Sequence, residues 1–210
     1  DQLFFRSMVS HLDEQIGRLI SHLKQTGQYD NTLIMFTSDN GPAYQGSPGP
    51  FKGGKTDLHE GGIRVPGFFV WNGHIKSGTH TFQTGHFADF LPTVCEINNI
   101  DISHNQIDGR SLLPVLKGED NIEERILLWQ MDMYAHFQNQ GAKPKPYSTA
   151  VAVKGNWKML ADSLTPVELF NMVQDHREIY NLLGMKNELE KELSSHIENF
   201  FAEPRLECCE

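Results

Sequence analysis

The sequence predicts an α/β fold followed by a small antiparallel sheet with a helix laid over it. Three observations carry that expectation. Residues 1–26 repeat apolar side chains at helical spacing. Leu33-Ile34-Met35-Phe36 is an unbroken apolar run closed by polar turn formers, which predicts a strand buried on both faces as in a parallel sheet. After Gly118 the chain changes to short strand-like runs separated by turn residues, with one amphipathic stretch at the end. The expected division is therefore 1–118 for the α/β part and 119–210 for the small α+β part, with the charged stretch 119–125 as the link.

Composition narrows the function classes. The 210 residues suffice for a sizeable core, and 39% apolar with 21% charged residues describes a globular chain rather than a disordered one. A formal charge of −9 argues against a nucleic acid or an anionic membrane as partner, since either calls for a basic patch. No apolar stretch approaches a membrane span. Three cysteines make no disulfide framework and share no zinc spacing with histidines. Cys95 reads as a small buried apolar residue, and Cys208 and Cys209 lie at the extreme end. The first residue is Asp and no leader precedes it, so the chain reads as a fragment or a processed piece.

In chain order, Leu3, Phe4, Met8, Leu12, Ile16, Leu19, Ile20 and Leu23 form one helical stripe, with Glu14, Gln15, Arg18 and Lys24 opposite and Gly27 as the stop. His11 fits that helix without a ligand role. Tyr29-Asp30-Asn31-Thr32 turns into the first strand. Gly67-Phe68-Phe69-Val70-Trp71 predicts a second buried strand, Thr81 to Gly85 a short edge strand, and His86 to Ile97 a helix with Pro92 near its middle. Beyond the link, strands are expected at 126–131, 147–153, 156–160 and 167–171. Leu189, Leu193, Ile197, Phe200 and Phe201 predict the covering helix. Asp132 to Pro146 is a polar and aromatic loop suited to line a cleft.

The chemistry concentrates just past the first strand. Asp39 and Asn40 place a carboxylate beside an amide oxygen where α/β sheets gather ligands, and oxygen donors suit a hard cation. The same Asp-Asn-Gly-Pro is also a good turn sequence. A loop with five glycines and three prolines in residues 41–54 follows and delivers Lys52 and Lys55. A cation and a lysine point charge together suit a doubly charged oxyanion. His59 stands in the same stretch, and Glu60 and Arg64 read as an ion pair or backbone anchors beside Gly61-Gly62.

Taken together, Thr37-Ser38-Asp39-Asn40-Gly41, Lys55 and Glu60-Gly61-Gly62-Ile63-Arg64-Val65-Pro66 resemble the C-terminal half of the sulfatase family, within the alkaline-phosphatase-like hydrolases. Met8 to Gly17, Asp89-Phe90-Leu91-Pro92-Thr93 and Asp108 to Pro114 extend the resemblance. It implies part of an alkaline-phosphatase-like α/β/α sandwich, a Ca²⁺ or Mg²⁺ site using Asp39 and Asn40, and Lys55 as a catalytic, sulfate-contacting lysine. His59 is a candidate substrate contact. Lys52 does not match the family pattern and reads as solvated. The family's nucleophile is a formylglycine made within Cys/Ser-x-Pro-x-Arg, and no Cys or Ser here sits in that pattern. Asp39 and Asn40 also offer at most three oxygens, fewer than the six to eight that Ca²⁺ takes. The expectation is a sulfuric ester hydrolase whose nucleophile and remaining ligands lie on a missing N-terminal half, leaving this chain alone inactive. The implied substrate is a sulfated small molecule or glycan, and the implied location periplasmic, secreted or lysosomal. The alternatives are a phosphoester or phosphonate hydrolase of the same superfamily, and a truncated, non-catalytic module.

Overall fold

The computed structural model describes residues 2–43, 46–119, 122–131 and 149–202. Its contacts divide the chain into two units, Asp1–Ser38 with Pro66–Glu123, and Asp39–Val65 with Glu124–Glu210.

The first unit opens with helix α1 (Gln2–Gln25). It ends where the stripe predicts: Gly27 takes a positive φ of 72°, and the Gln28 N–H returns to the Leu23 carbonyl at 2.9 Å. Strand β1 (Ile34–Thr37) pairs with β2 (Gly67–Val70), Met35 opposite Phe69. The pairing is antiparallel, and Phe36, Phe68 and Val70 stay exposed, so the expectation of parallel strands buried on both faces fails here. An apolar run states that something covers it but not which strand pairs with it. β2 also stops one residue early, because Trp71 begins a turn with the His74 N–H on its carbonyl and the His74 ring stacked at 4.0 Å. No strand forms over 81–85. The Gln83 N–H is taken locally by Thr81 Oγ1, as in a turn.

The predicted helix over 86–97 becomes a 3₁₀ turn (Phe87–Asp89) running into α3 (Phe90–Ile97). Pro92 falls in the first turn of α3, where its missing N–H costs no helical bond. Asp89 is fully buried, and its two oxygens accept the His86 N–H at 2.7 Å and the Arg110 N–H at 2.9 Å. Thr93 Oγ1 accepts the Leu112 N–H at 2.8 Å. These bonds fasten 108–113, and then α4 (Leu113–Leu116), to α3. Cys95 is buried with a free thiol.

The second unit holds a four-stranded antiparallel meander: β3 (Ile126–Gln130), β4 (Ala150–Lys154), β5 (Trp157–Asp162) and β6 (Thr165–Asn171), neighbours in that order. The period-2 pattern sorts its side chains. Met159, Ala161, Ala150, Ala152 and Leu169 bury one face against Leu193 and Ile197 of helix α5 (Asn187–Ala202). Val151, Leu160 and Phe170 bury the other face against Leu58 of the 39–65 segment. The sheet is thus covered by a helix on one side and by a glycine-rich loop on the other. The expected strands and closing helix of this region form. The loop 132–146, the start of the expected strand at 147–148, and Cys208 and Cys209 lie outside the described residues. Among the described residues, no helix is long and apolar enough to cross a membrane.

Candidate functional site

All four sequence-predicted site residues fall on the 39–65 segment of the second unit. Backbone bonds fold this segment on itself. The Gly41 N–H reaches the Gly62 carbonyl at 2.7 Å, the Lys55 N–H reaches the Pro42 carbonyl at 2.9 Å, and the Gly61 N–H reaches the Lys52 carbonyl at 2.7 Å. Glu60–Ile63 forms a single helical turn, α2. The strands of chain cross so closely that a Cβ on Gly41 would collide with the Gly61 carbonyl, and one on Gly62 with the Asp57 carbonyl. Asp39-Asn40 and Lys55, fifteen or more positions apart in sequence, are therefore carried by one closed loop.

The two lysines of this loop differ in kind. Lys52 Nζ is 3.3 Å from Glu168 Oε1 and 5.5 Å from the centre of the Phe170 ring. Lys52, expected to be solvated, is thus a half-exposed ion-paired anchor to β6. Lys55 is exposed, and its ammonium has no acidic partner among the described residues.

Asp39 is exposed, and its Oδ1 accepts the Asn40 N–H at 3.0 Å, a turn-like bond that leaves Oδ2 open. Among the described residues no three His, Cys, Asp or Glu side chains are grouped to hold a metal ion. Two neighbouring oxygen donors match the chemistry of a hard cation but fall short of its coordination number, so further ligands from other residues are required.

His59 is held at both ring nitrogens. Nδ1 lies 2.6 Å from Asp57 Oδ1 and Nε2 lies 2.7 Å from Glu168 Oε2. Two carboxylates can both accept only if both nitrogens carry protons, so the arrangement selects imidazolium. Burial works against that charge. The Asp57 hydrogen bond and charge outweigh it, helped by Glu178 and Glu168, and hold the His59 pKa above its ordinary 6.5. Asp57 feels the converse: burial pushes it up, but the His59 bonds prevail and keep it below 3.8.

Beneath the loop lies a charge cluster that sequence reasoning half found. The pair of Glu60 with Arg64, at 3.2 Å, was legible from spacing. Its partners were not. Lys158 on β5, with no exposed side-chain surface, places Nζ 3.1 Å from Glu60 Oε1 and 2.9 Å from Glu178 Oε1, the latter close but off hydrogen-bond alignment. Glu178 Oε2 accepts the Glu60 N–H at 2.7 Å. Burial raises the Glu178 pKa, with the Lys158 charge opposing. A lysine inside an apolar strand run was the one available signal.

Comparison with known proteins bears on what this loop is. Residues 6–100 match the family model described as Sulfatase. Human arylsulfatase A is 28% identical over 200 residues, which cover 86% of this chain and 39% of that protein. The crystal structure of Ps i-CgsB superposes with a TM-score of 0.79 at 29% identity, covering 95% of this chain and 43% of that one. The structure of BT4656 with its substrate D-glucosamine-2-N,6-O-disulfate gives a TM-score of 0.69 at 25% identity, over 92% of this chain and 39% of that one. The phosphonate monoester hydrolase of Agrobacterium radiobacter gives 0.61 at 26%, over 93% and 39%. The chain spans well under half the length of these relatives. With Asp39-Asn40-Gly41, Lys55 and Glu60-Gly61-Gly62 on one closed loop, the chain is similar to the sulfatase family, through the model match over residues 6–100 and these relatives, and carries part of an alkaline-phosphatase-like α/β fold.

Proposed function

We propose that this chain forms one wall of a sulfuric ester hydrolase site. One observation supports the reading best: the closed loop carries an open carboxylate oxygen at Asp39 and an unpaired ammonium at Lys55, while the neighbouring Lys52 is consumed by Glu168. In this reading Asp39 and Asn40 hold a Ca²⁺ or Mg²⁺ ion together with ligands from outside the chain. When bound, such an ion supplies Lewis-acid polarisation of the ester's oxygens. Lys55 sets a fixed positive charge against the negative charge that builds on the sulfate and its leaving oxygen. His59 contacts substrate only by exchanging Glu168 for a sulfate oxygen at Nε2, where it acts as a charged donor. The nucleophile, a formylglycine, belongs to a Cys/Ser-x-Pro-x-Arg segment of an N-terminal half that also covers the exposed apolar side chains of the first unit. The substrate is a sulfated small molecule or glycan, as suggested by the disulfated sugar bound in one neighbour, and the compartment is periplasmic, secreted or lysosomal, as for the family. The likeness to a phosphonate monoester hydrolase keeps a second reading, phosphoester or phosphonate hydrolysis on the same frame, because both ester classes present similar anionic oxygens.

The test compares two lysines in the protein that joins this chain to such an N-terminal half. Lys55→Ala is expected to lower kcat/KM for an aryl sulfate on the order of a hundredfold, the cost of one preorganised electrostatic donor. Lys52→Ala is expected to leave the chemical step within a few-fold. Reversed effects would remove Lys55 from the site. Calorimetric Ca²⁺ titration of an Asp39→Ala variant tests the metal ligand, and an affinity equal to that of the parent would remove the metal from this loop. An aryl phosphonate turned over faster than an aryl sulfate would select the second reading.

A further inference from the structure

Lys158 occupies a position where an apolar residue is expected: the middle of the sheet, on the face that Leu160 and Phe170 fill with Leu58. Replacing a buried ion pair by apolar groups is often neutral or favourable for stability alone, so the cluster needs another reason. Its charges sum to zero, with Lys158 and Arg64 balancing Glu60 and Glu178. Glu178 is held at a positive φ of 55°, a backbone state that a non-glycine residue keeps only when its surroundings impose it. Both of its oxygens are turned to this cluster, one to the Glu60 N–H and one to Lys158.

We propose that Lys158 and Glu178 are positioning residues for the 39–65 loop: they hold Glu60, and through the α2 turn Glu60 holds the backbone that carries Asp39, Asn40 and Lys55. The path is continuous. The Glu60 N–H is fixed by Glu178 and its carboxylate by Lys158, so α2 begins at a set point on the sheet. The next residues of that turn take the Gly61 N–H to Lys52 and the Gly62 carbonyl to Gly41, and Pro42 takes the Lys55 N–H. The geometry needs no bound ligand. Calling Lys158 and Glu178 positioning residues for catalysis rests on the sulfatase reading, whereas the anchoring does not.

The experiment is amide hydrogen exchange on the 210-residue chain, comparing the parent with Glu60→Gln and with the double variant Lys158→Met/Glu178→Gln. Glu60→Gln leaves Lys158 paired with Glu178 and removes the charge through which Glu60 meets Lys158 and Arg64. The double variant removes a buried pair together, so no lone charge is left to unfold the sheet. In both, exchange at Gly41, Gly61 and Lys55 is expected to rise at least about tenfold while the hydrogen-bonded amides of β4 and β5 change less than about twofold. A uniform rise across loop and sheet, or an unchanged loop, would overturn the proposal. In the joined enzyme the same variants are expected to lower kcat/KM with little change in melting temperature. If exchange loosens and turnover is unaffected, the catalytic reading of the loop fails and the anchoring stands.

Discussion

The two units bury their apolar side chains very differently. In the second unit Val151, Met159, Leu160 and Leu169 reach 0% exposure, and the sheet is covered on both faces by residues of its own unit. In the first, α1 buries no residue, and Leu3 and Phe4 are 79% and 72% exposed, with Phe36, Phe68, Phe87 and Phe90 also open. Every one of those side chains sits on a helix or strand that the sequence pattern forecasts. Local pattern alone therefore makes an element; a completed core needs the partner that the pattern addresses. The second unit contains its partners, whereas the first leaves these apolar side chains open among the described residues.

Three experiments test that contrast. The largest effect is expected in activity. The chain alone should turn over no aryl sulfate in the presence of Ca²⁺, whereas the chain joined to a segment bearing Cys-x-Pro-x-Arg should do so. Turnover by the chain alone, measured with a chromogenic sulfate, would show that the open unit lacks nothing. Next comes stability. Leu169→Ala should cost about 2–5 kcal/mol in urea unfolding, the usual price of a core cavity. Leu12→Ala, on the exposed face of α1, should stay within about 0.5 kcal/mol in the chain alone and cost more once that face is covered. Equal costs in the chain alone would erase the distinction between the units.

The smallest effect is a pH dependence confined to the second unit. His59 has a raised pKa, so its contribution is complete below the unfolded value near 6.5 and is lost as pH climbs through the folded value. Asp57 is lowered, so its share is present above 3.8 and is lost as pH falls through its folded value. The urea midpoint should accordingly drop as pH rises above about 6.5, and His59→Gln should flatten that part of the curve. A parent and variant with the same slope would show that the Asp57–His59–Glu168 contact adds no stability.

How much of this was legible follows the reach of the physical signal. The meander and α5 were readable because alternation and helical period are local, and Leu193 and Ile197 sit where their spacing requires. The pairing of Glu60 with Arg64 was readable from residue type and spacing, and Asp39, Asn40 and Lys55 do stand on one closed segment. The pairing of β1 with β2 was not readable, since Leu33 to Phe36 reads the same beside any strand. Nor was the tie from Glu60 to Lys158, which joins residues 98 positions apart with no periodicity to announce it. His59 shows the same limit. Its residue type suggested a substrate contact, while its two carboxylate neighbours come from Asp57, two positions before it, and from Glu168, 109 positions away. The segment 39–65 reads from sequence as a loop of the 1–118 part, and its packing with the C-terminal sheet depends on Leu58 and on a buried charge whose one local sign is a lysine within an apolar strand.

The loop closes on itself through main-chain atoms, with glycines at the crossings. That construction separates architecture from vocabulary. Side chains at Pro48, Pro50 and Lys55 supply none of the bonds that shape the loop, so they can be exchanged while the frame keeps its form. The bare positions behave oppositely: a single methyl at Gly41 or Gly62 would pry the frame open without altering any charge in it. Sequence change in this loop is therefore channelled into the positions between the crossings, and a library randomised there should yield folded variants far more often than one randomised at the glycines.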